Sequence, residues 1–223
     1  MLVREWVEKN FKRIVDVRRW LHMHPEVGFN EVETSQYCQK FMKNLGYTVM
    51  QNDKMLTGFI CDIGRGNGPT LAVRCDLDAL PIHEINDIEY KSQNPGVSHA
   101  CGHDSHMANI LGLAAYIKET EQDIPGKLRF LFQPAEEIAP GGAVVMMEAG
   151  AIDGVDHILG GHILPSLSAE KIGIRYGPMA AAVEQINICL KGPGGHTSRP
   201  VESVDLIWAQ SHLILSLEEC VRH

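Results

Sequence analysis

Apolar residues at Val3, Val7, Phe11, Ile14, Val17 and Leu21 recur every three or four positions, with Arg and Lys on the other side. That period predicts an amphipathic helix over residues 2–22. It ends near Pro25, whose ring and missing N–H cannot continue a helix. A second helix is expected from after Asn30 to Asn44, with Gly46 as its C-terminal stop. From Tyr47 the period changes. Residues 58–63 and 70–75 read as short strands joined by a glycine-rich turn over 64–69. That turn lacks the strand–loop–helix setting of a phosphate or dinucleotide loop. Residues 127–132 read as a third strand and 157–163 as another, with helices over 104–121 and from Gly141 to Ala149. A strand over 183–190 and a helix over 203–219 complete the pattern. Strand–helix alternation of this kind predicts an α/β fold whose strand ends converge on one sheet edge.

Composition narrows the class. The chain has 223 residues, 44% hydrophobic and 22% charged, as in globular proteins with a sizeable core. That length suits one domain, or one domain plus part of another. A net charge of −8, with no dense Lys/Arg stripe, argues against nucleic-acid binding. No window approaches the ~18 apolar residues of a membrane span. Charges at Arg4 and Glu5 interrupt any signal peptide. Cys38, Cys61, Cys75, Cys101, Cys189 and Cys220 show no paired spacing, which predicts free thiols in a reducing, cytoplasmic setting.

Candidate chemistry concentrates between residues 98 and 106, where His99, Cys101, His103, Asp104 and His106 crowd nine positions. A thiolate and an imidazole two residues apart reach one divalent cation from an extended turn, and Gly102 lets the backbone bend around it. Asp76 and Asp78 alternate at the end of the second strand, before Pro81. Glu136 and Glu137 follow the third. Adjacent side chains on extended backbone point opposite ways, so one carboxylate can bind a metal while the other faces a substrate. His162 lies at the end of the strand over 157–163. His22 and His24, beside a helix end, read as caps or surface contacts, and His157 as structural. A cysteine nucleophile at Cys101, paired with a neutral imidazole, is the competing enzymatic reading.

Taken in order, these motifs resemble a family of dinuclear metallo-amidohydrolases that includes bacterial aminoacylases, hippurate hydrolases, N-acetyl-diaminopimelate deacetylases and plant auxin-conjugate hydrolases. The resemblance runs through Arg19-Trp20-Leu21-His22-Met23-His24-Pro25-Glu26 and Arg74-Cys75-Asp76-Leu77-Asp78-Ala79-Leu80-Pro81. It continues through Ala100-Cys101-Gly102-His103-Asp104, Gln133-Pro134-Ala135-Glu136-Glu137 and Gly161-His162. It closes on Gly192-Pro193-Gly194-Gly195-His196-Thr197-Ser198-Arg199-Pro200. Ser105 stands where the family usually has glycine.

The resemblance implies a zinc-peptidase-like mixed sheet flanked by helices over residues 1–179, and the beginning of an inserted α+β lid and dimerisation domain over 180–223. It implies two divalent ions (zinc, manganese, cobalt or nickel) held by Cys101, His103, Glu137 and His162. Glu136 would be the general base and acid, with Asp76 as support beneath the site. His196 would reach across a homodimer to the reacting carbonyl oxygen, and Arg199 would hold the substrate's α-carboxylate. The implied substrate is a small N-acyl amino acid or related amide, with no nucleic-acid or membrane partner. Family members are longer than this chain, and no residue matches their last histidine ligand, since His212 lies mid-helix and His223 is terminal. A fragment acting as a binding or dimerising module, or needing a complementing chain, is therefore the alternative to an active hydrolase.

Overall fold

A computed structural model describes residues 1–181 and 186–221. The chain divides into two compact units, residues 1–168 and 169–223. In the first, helices α1 (Val3–Met23), α2 (Val32–Asn44), α3 (His103–Glu119) and α4 (Gly142–Glu148) accompany a five-stranded sheet. Its strands are β1 (Val49–Met50), β2 (Phe59–Gly64), β3 (Thr70–Asp76), β4 (Lys127–Gln133) and β5 (His157–Gly160), in the order β1-β2-β4-β3-β5. The fold is thus mixed α/β, as the strand–helix alternation predicts.

β2 and β3 are neighbours in sequence but not in the sheet, because β4 lies between them. The glycine-rich turn arches over the start of β4. Arg65 N–H bonds to Ile124 O at 3.2 Å, Gly66 N–H to Gly126 O at 3.2 Å, and Lys127 N–H to Pro69 O at 3.1 Å. A Cβ at Gly64 would lie 2.2 Å from Gly126 O, and its φ is +117°, so the crossing requires glycine there.

The strands alternate between two cores, as period-2 side chains must. Phe59, Cys61, Val73, Cys75, Leu128, Phe130 and Phe132 face α1, α2 and α3 with Leu21, Met42, Met107 and Leu111. Ile60, Ala72 and Leu131 face the other way, onto Met146 of α4, Met55 and Ala151. Burying each of the three phenylalanines contributes roughly 2–3 kcal/mol. Asp62 and Arg129 stand opposite each other on β2 and β4 and pair through two 2.8 Å bonds, while Arg129 also donates to the carbonyls of Ala151 and Asp153. No described helix is long and apolar enough to cross a membrane.

β4 and β5 both run parallel to β3, so these three strands end on one edge of the sheet. Carboxyl ends of parallel strands are where open α/β sheets place their ligands. Three small shifts from the sequence reading matter here. α3 begins at His103 itself, β4 extends to Gln133, and β5 stops at Gly160, which leaves His162 on the segment beyond the strand.

In the second unit, a 3-10 turn over Pro200–Glu202 precedes α5 (Leu206–Val221). Asp205 caps that helix, its Oδ1 accepting from Ile207 N–H at 3.0 Å and Trp208 N–H at 2.9 Å. The strand expected over 183–190 falls partly on residues outside those described; 186–190 form no strand among the described residues.

Candidate metal centre

The chain leaving β3 is pinned in extended form. Leu77 N–H bonds to Gln133 O at 2.8 Å, Ala79 N–H to Glu26 O at 2.8 Å, and Leu80 and Ser98 exchange a pair of 3.0 Å bonds. Glu26 also caps α2, its carboxylate accepting from Thr34 N–H at 2.8 Å and Glu33 N–H at 3.2 Å. The His-Pro-Glu stretch after α1 thereby braces the site's floor. Gly102, at φ +89°, turns the 98–102 loop sharply into α3.

His103 is buried at the start of α3. Its Nδ1 lies 2.8 Å from the backbone carbonyl of Asp78. A carbonyl only accepts, so Nδ1 carries the proton and Nε2 keeps its lone pair in the neutral ring. Among the described residues, Nε2 is buried without a hydrogen-bond partner, and so is Glu137 Oε1, 3.6 Å away. Glu136 Oε2 lies 3.9 Å from the same nitrogen on a side chain 41% exposed, against 20% for Glu137. The adjacent glutamates differ in exposure, but they lie on a bend beyond β4 rather than on extended backbone, and both approach His103 Nε2.

Cys101 Sγ and His162 Nε2 stand 3.2 Å apart. His162 Nδ1 faces the carbonyl of Ile163 at 2.7 Å, so its basic nitrogen is again Nε2. Ligand atoms of Cys101, His103 and His162 form one close group, and those of His103, Glu136 and Glu137 a second that shares His103. The set fits divalent cations. Two buried lone-pair donors converge with no partner, and thiolate, imidazole and carboxylate are the donors such ions take. Burial pushes the Cys101 thiol up to about 12, with Glu137 and Glu136 adding to it, which is the wrong direction for a free cysteine nucleophile. A bound cation would reverse that shift. Burial works against a charged His103, but Asp78 and Asp76 outweigh it and raise its pKa, so a metal would displace a proton there.

Asp76 and Asp78 hold different parts. Asp78 accepts Glu137 N–H at Oδ2, 2.9 Å away, and its Oδ1 lies 3.4 Å from His103 Nδ1. Asp76 sits 3.6 Å from His103 Nε2, but its close partners are Arg74 at 2.8 Å and His106 at 2.7 Å. Burial opposes its ionisation, yet the His106 bond and the Arg74 and His103 charges bring its pKa to about 2.

His106 is a structural member of the site that the motif reading passed over. Its Nδ1 donates to Asp76, and its Nε2 accepts Ile163 N–H at 3.1 Å. Both nitrogens are therefore engaged, and the ring ties β3 to the segment carrying His162. Its position three residues after His103, one turn along α3 on the same side, was the available signal. His22 is likewise no surface contact. It is buried between Asp104 at 2.6 Å and Glu84 at 3.1 Å, with Arg18 on the same Asp104 oxygen at 2.9 Å. His24 does cap α1 locally, through Trp20 O at 2.7 Å.

His196 and Arg199 lie in the second unit. His196 Nδ1 pairs with the Ser198 hydroxyl at 2.7 Å, and Arg199 with Glu202 at 3.5 Å.

A sequence profile of the peptidase family M20/M25/M40 matches residues 72–219, which run from β3 into α5 and include every motif from Arg74 onward but not the Arg19–Glu26 stretch. The chain belongs to that family. An N-acyl-L-amino acid amidohydrolase of Geobacillus stearothermophilus is 41% identical over 222 residues, covering 96% of this chain and 60% of the relative. An N-acetylcysteine deacetylase of Bacillus subtilis is 41% identical over 210 residues, covering 94% and 55%. Among solved structures, a dinuclear metal-binding peptidase of the same family from Bacillus subtilis superposes with a TM-score of 0.73 at 41% identity, over 77% of this chain and 48% of that one. The chain thus spans 55–60% of the length of these two curated relatives.

Proposed function

We propose that this M20-family chain carries the metal-binding and proton-transferring machinery of an amidohydrolase that cleaves N-acyl amino acids. The observation that carries the reading is the pair of buried, unpartnered donors, His103 Nε2 and Glu137 Oε1, 3.6 Å apart beneath the open carboxylate of Glu136. Cys101, His103, Glu137 and His162 would hold two divalent ions of the zinc, manganese, cobalt or nickel class. Such ions, when bound, lower the pKa of water and polarise an amide carbonyl. Glu136 takes a proton from the attacking water at its open carboxylate and returns it to the leaving amine. Asp78 keeps His103 in the ligating tautomer, and Asp76 braces the sheet edge through His106. In this reading His196, reaching across a homodimer, supplies a hydrogen bond to the developing oxyanion, and Arg199 pairs with the substrate's α-carboxylate.

Residues 1–179 form the catalytic portion in this reading, and 180–223 begin a lid through which a homodimer assembles. The substrate class rests on the relatives, whose names specify N-acyl amino acids and N-acetylcysteine. The free state of all six cysteines supports a reducing, cytoplasmic setting. The deciding experiment is elemental analysis of the purified protein together with a panel of N-acetyl and N-benzoyl amino acids. Retained divalent metal with release of the free amino acid supports the reading. A protein that neither retains metal nor hydrolyses any member of the panel refutes it.

A further inference from the structure

Glu31 is fully buried just before α2, yet its carboxylate serves a segment 104 residues away. Oε1 accepts the backbone N–H of Ala135 at 2.7 Å, and Oε2 accepts the hydroxyl of Thr57 at 2.6 Å. Ala135 is the residue before the acidic pair, and its φ is +45°. That is the left-handed region, where a Cβ crowds the following carbonyl and only glycine is at ease. The turn is gripped from its other side as well, since Ala135 O accepts Gly142 N–H at 2.8 Å. Glycines at 142 and 28 permit the grip. A Cβ at Gly142 would fall 1.8 Å from Pro134 O, and one at Gly28 would fall 3.1 Å from Ala135 Cα.

Relaxing Ala135 to an ordinary negative φ would swing the following chain by about 100°. Glu136 and Glu137 would then leave β4 in a different direction, away from His103. We propose that Glu31 is a positioning residue, whose buried carboxylate holds the strained Ala135 turn and so aims Glu136 and Glu137 at the metal site. This rests on the metal-centre reading of those two glutamates. It assigns a task to a side chain that is itself neither ligand nor base.

The test is a cobalt(II) titration of the whole chain, followed by d–d absorption, with thermal melting in parallel. Glu31→Ala should weaken cobalt binding by about tenfold or more and change the shape of the band, as loss of an outer support for a ligand does. Glu31→Gln keeps an oxygen for Ala135 N–H and should bind as wild type. Ala135→Gly placed in the Glu31→Ala background should recover most of the affinity, because glycine accepts the positive φ unaided. Wild-type affinity in Glu31→Ala, or no recovery in the double variant, overturns the inference. Should Glu31→Ala melt below the assay temperature, Glu31→Asp decides, since it keeps the charge but withdraws the acceptor. Weakened binding there supports the role, and unchanged binding overturns it. A wild-type protein that binds no cobalt would instead refute the metal-centre reading, and this inference would fall with it.

Discussion

His103 donates its Nδ1 proton to the Asp78 carbonyl at 2.8 Å, and that bond decides which face of the imidazole is basic. The same aspartate uses its side chain to hold Glu137 N–H, so one residue orients two neighbouring donor groups. Asp78→Ala keeps the backbone carbonyl but removes the carboxylate that holds Glu137 N–H and lies 3.4 Å from His103 Nδ1. It should therefore lower divalent-metal affinity by about 10-fold or more while leaving the tautomer-setting bond in place. Competition titration against a chelating indicator measures this, and an unchanged dissociation constant would count against the role given to Asp78.

Glu136 stands open beside the inward-turned Glu137. Glu136→Gln should reduce amide hydrolysis by about 10²–10⁴-fold with metal content unchanged, because it removes proton transfer and no ligand. Steady-state kinetics with elemental analysis on the same sample test both halves. Loss of metal together with activity would make Glu136 a ligand instead.

Arg129 joins β2, β4 and the loop after α4 through Asp62 and the carbonyls of Ala151 and Asp153. Burial pushes the Asp62 carboxyl up, but Arg129 outweighs it and brings it below the ordinary value. Arg129→Ala leaves that half-buried carboxylate to Lys127, 3.5 Å away, and two carbonyls without their donor, and should destabilise the fold by about 3 kcal/mol. Urea unfolding reads this directly. A loss below about 1 kcal/mol would show that water replaces the guanidinium without penalty.

The His22 cluster predicts a pH signature. Its bond to Asp104 raises the His22 pKa above 6.5, with burial opposing and the Glu84 bond assisting. A raised pKa means that the folded state holds this proton more tightly than the unfolded chain. The stabilisation is complete below pH 6.5 and is lost as pH rises through the folded-state pKa. His22→Gln should thus cost most at about pH 6 and progressively less on the alkaline side, as read from denaturation midpoints across that range. A cost independent of pH would mean that the ring acts by shape alone.

Much of this fold was legible in one dimension. Leu21, Val17 and Ile14 mark the inner side of α1 by period alone, and the alternation Leu128, Phe130, Phe132 against Leu131 marks the two faces of β4. The donor-bearing stretches were legible too, since Cys101-Gly102-His103 and Glu136-Glu137 sit at element boundaries visible as changes of period. The insertion of β4 between β2 and β3 was not, because the turn over 64–69 is compatible with a direct pairing until Gly126 is seen beneath Gly64. The burial of His22 was not legible for a related reason. Its partners Glu84 and Asp104 lie 62 and 82 residues away, beyond any local pattern.

The sequence alone determined the α/β class, the family resemblance and the residue types that could hold a metal, because periodicity and short motifs are local properties. Only the tertiary structure decided that the carboxyl ends of three parallel strands share an edge, which tautomer His103 adopts, and which glutamate turns inward. It also decided the tasks of His106 and Glu31. Each of these depends on contacts between segments far apart in the chain, and a hydrogen bond's direction is settled by the partner that folding brings to it.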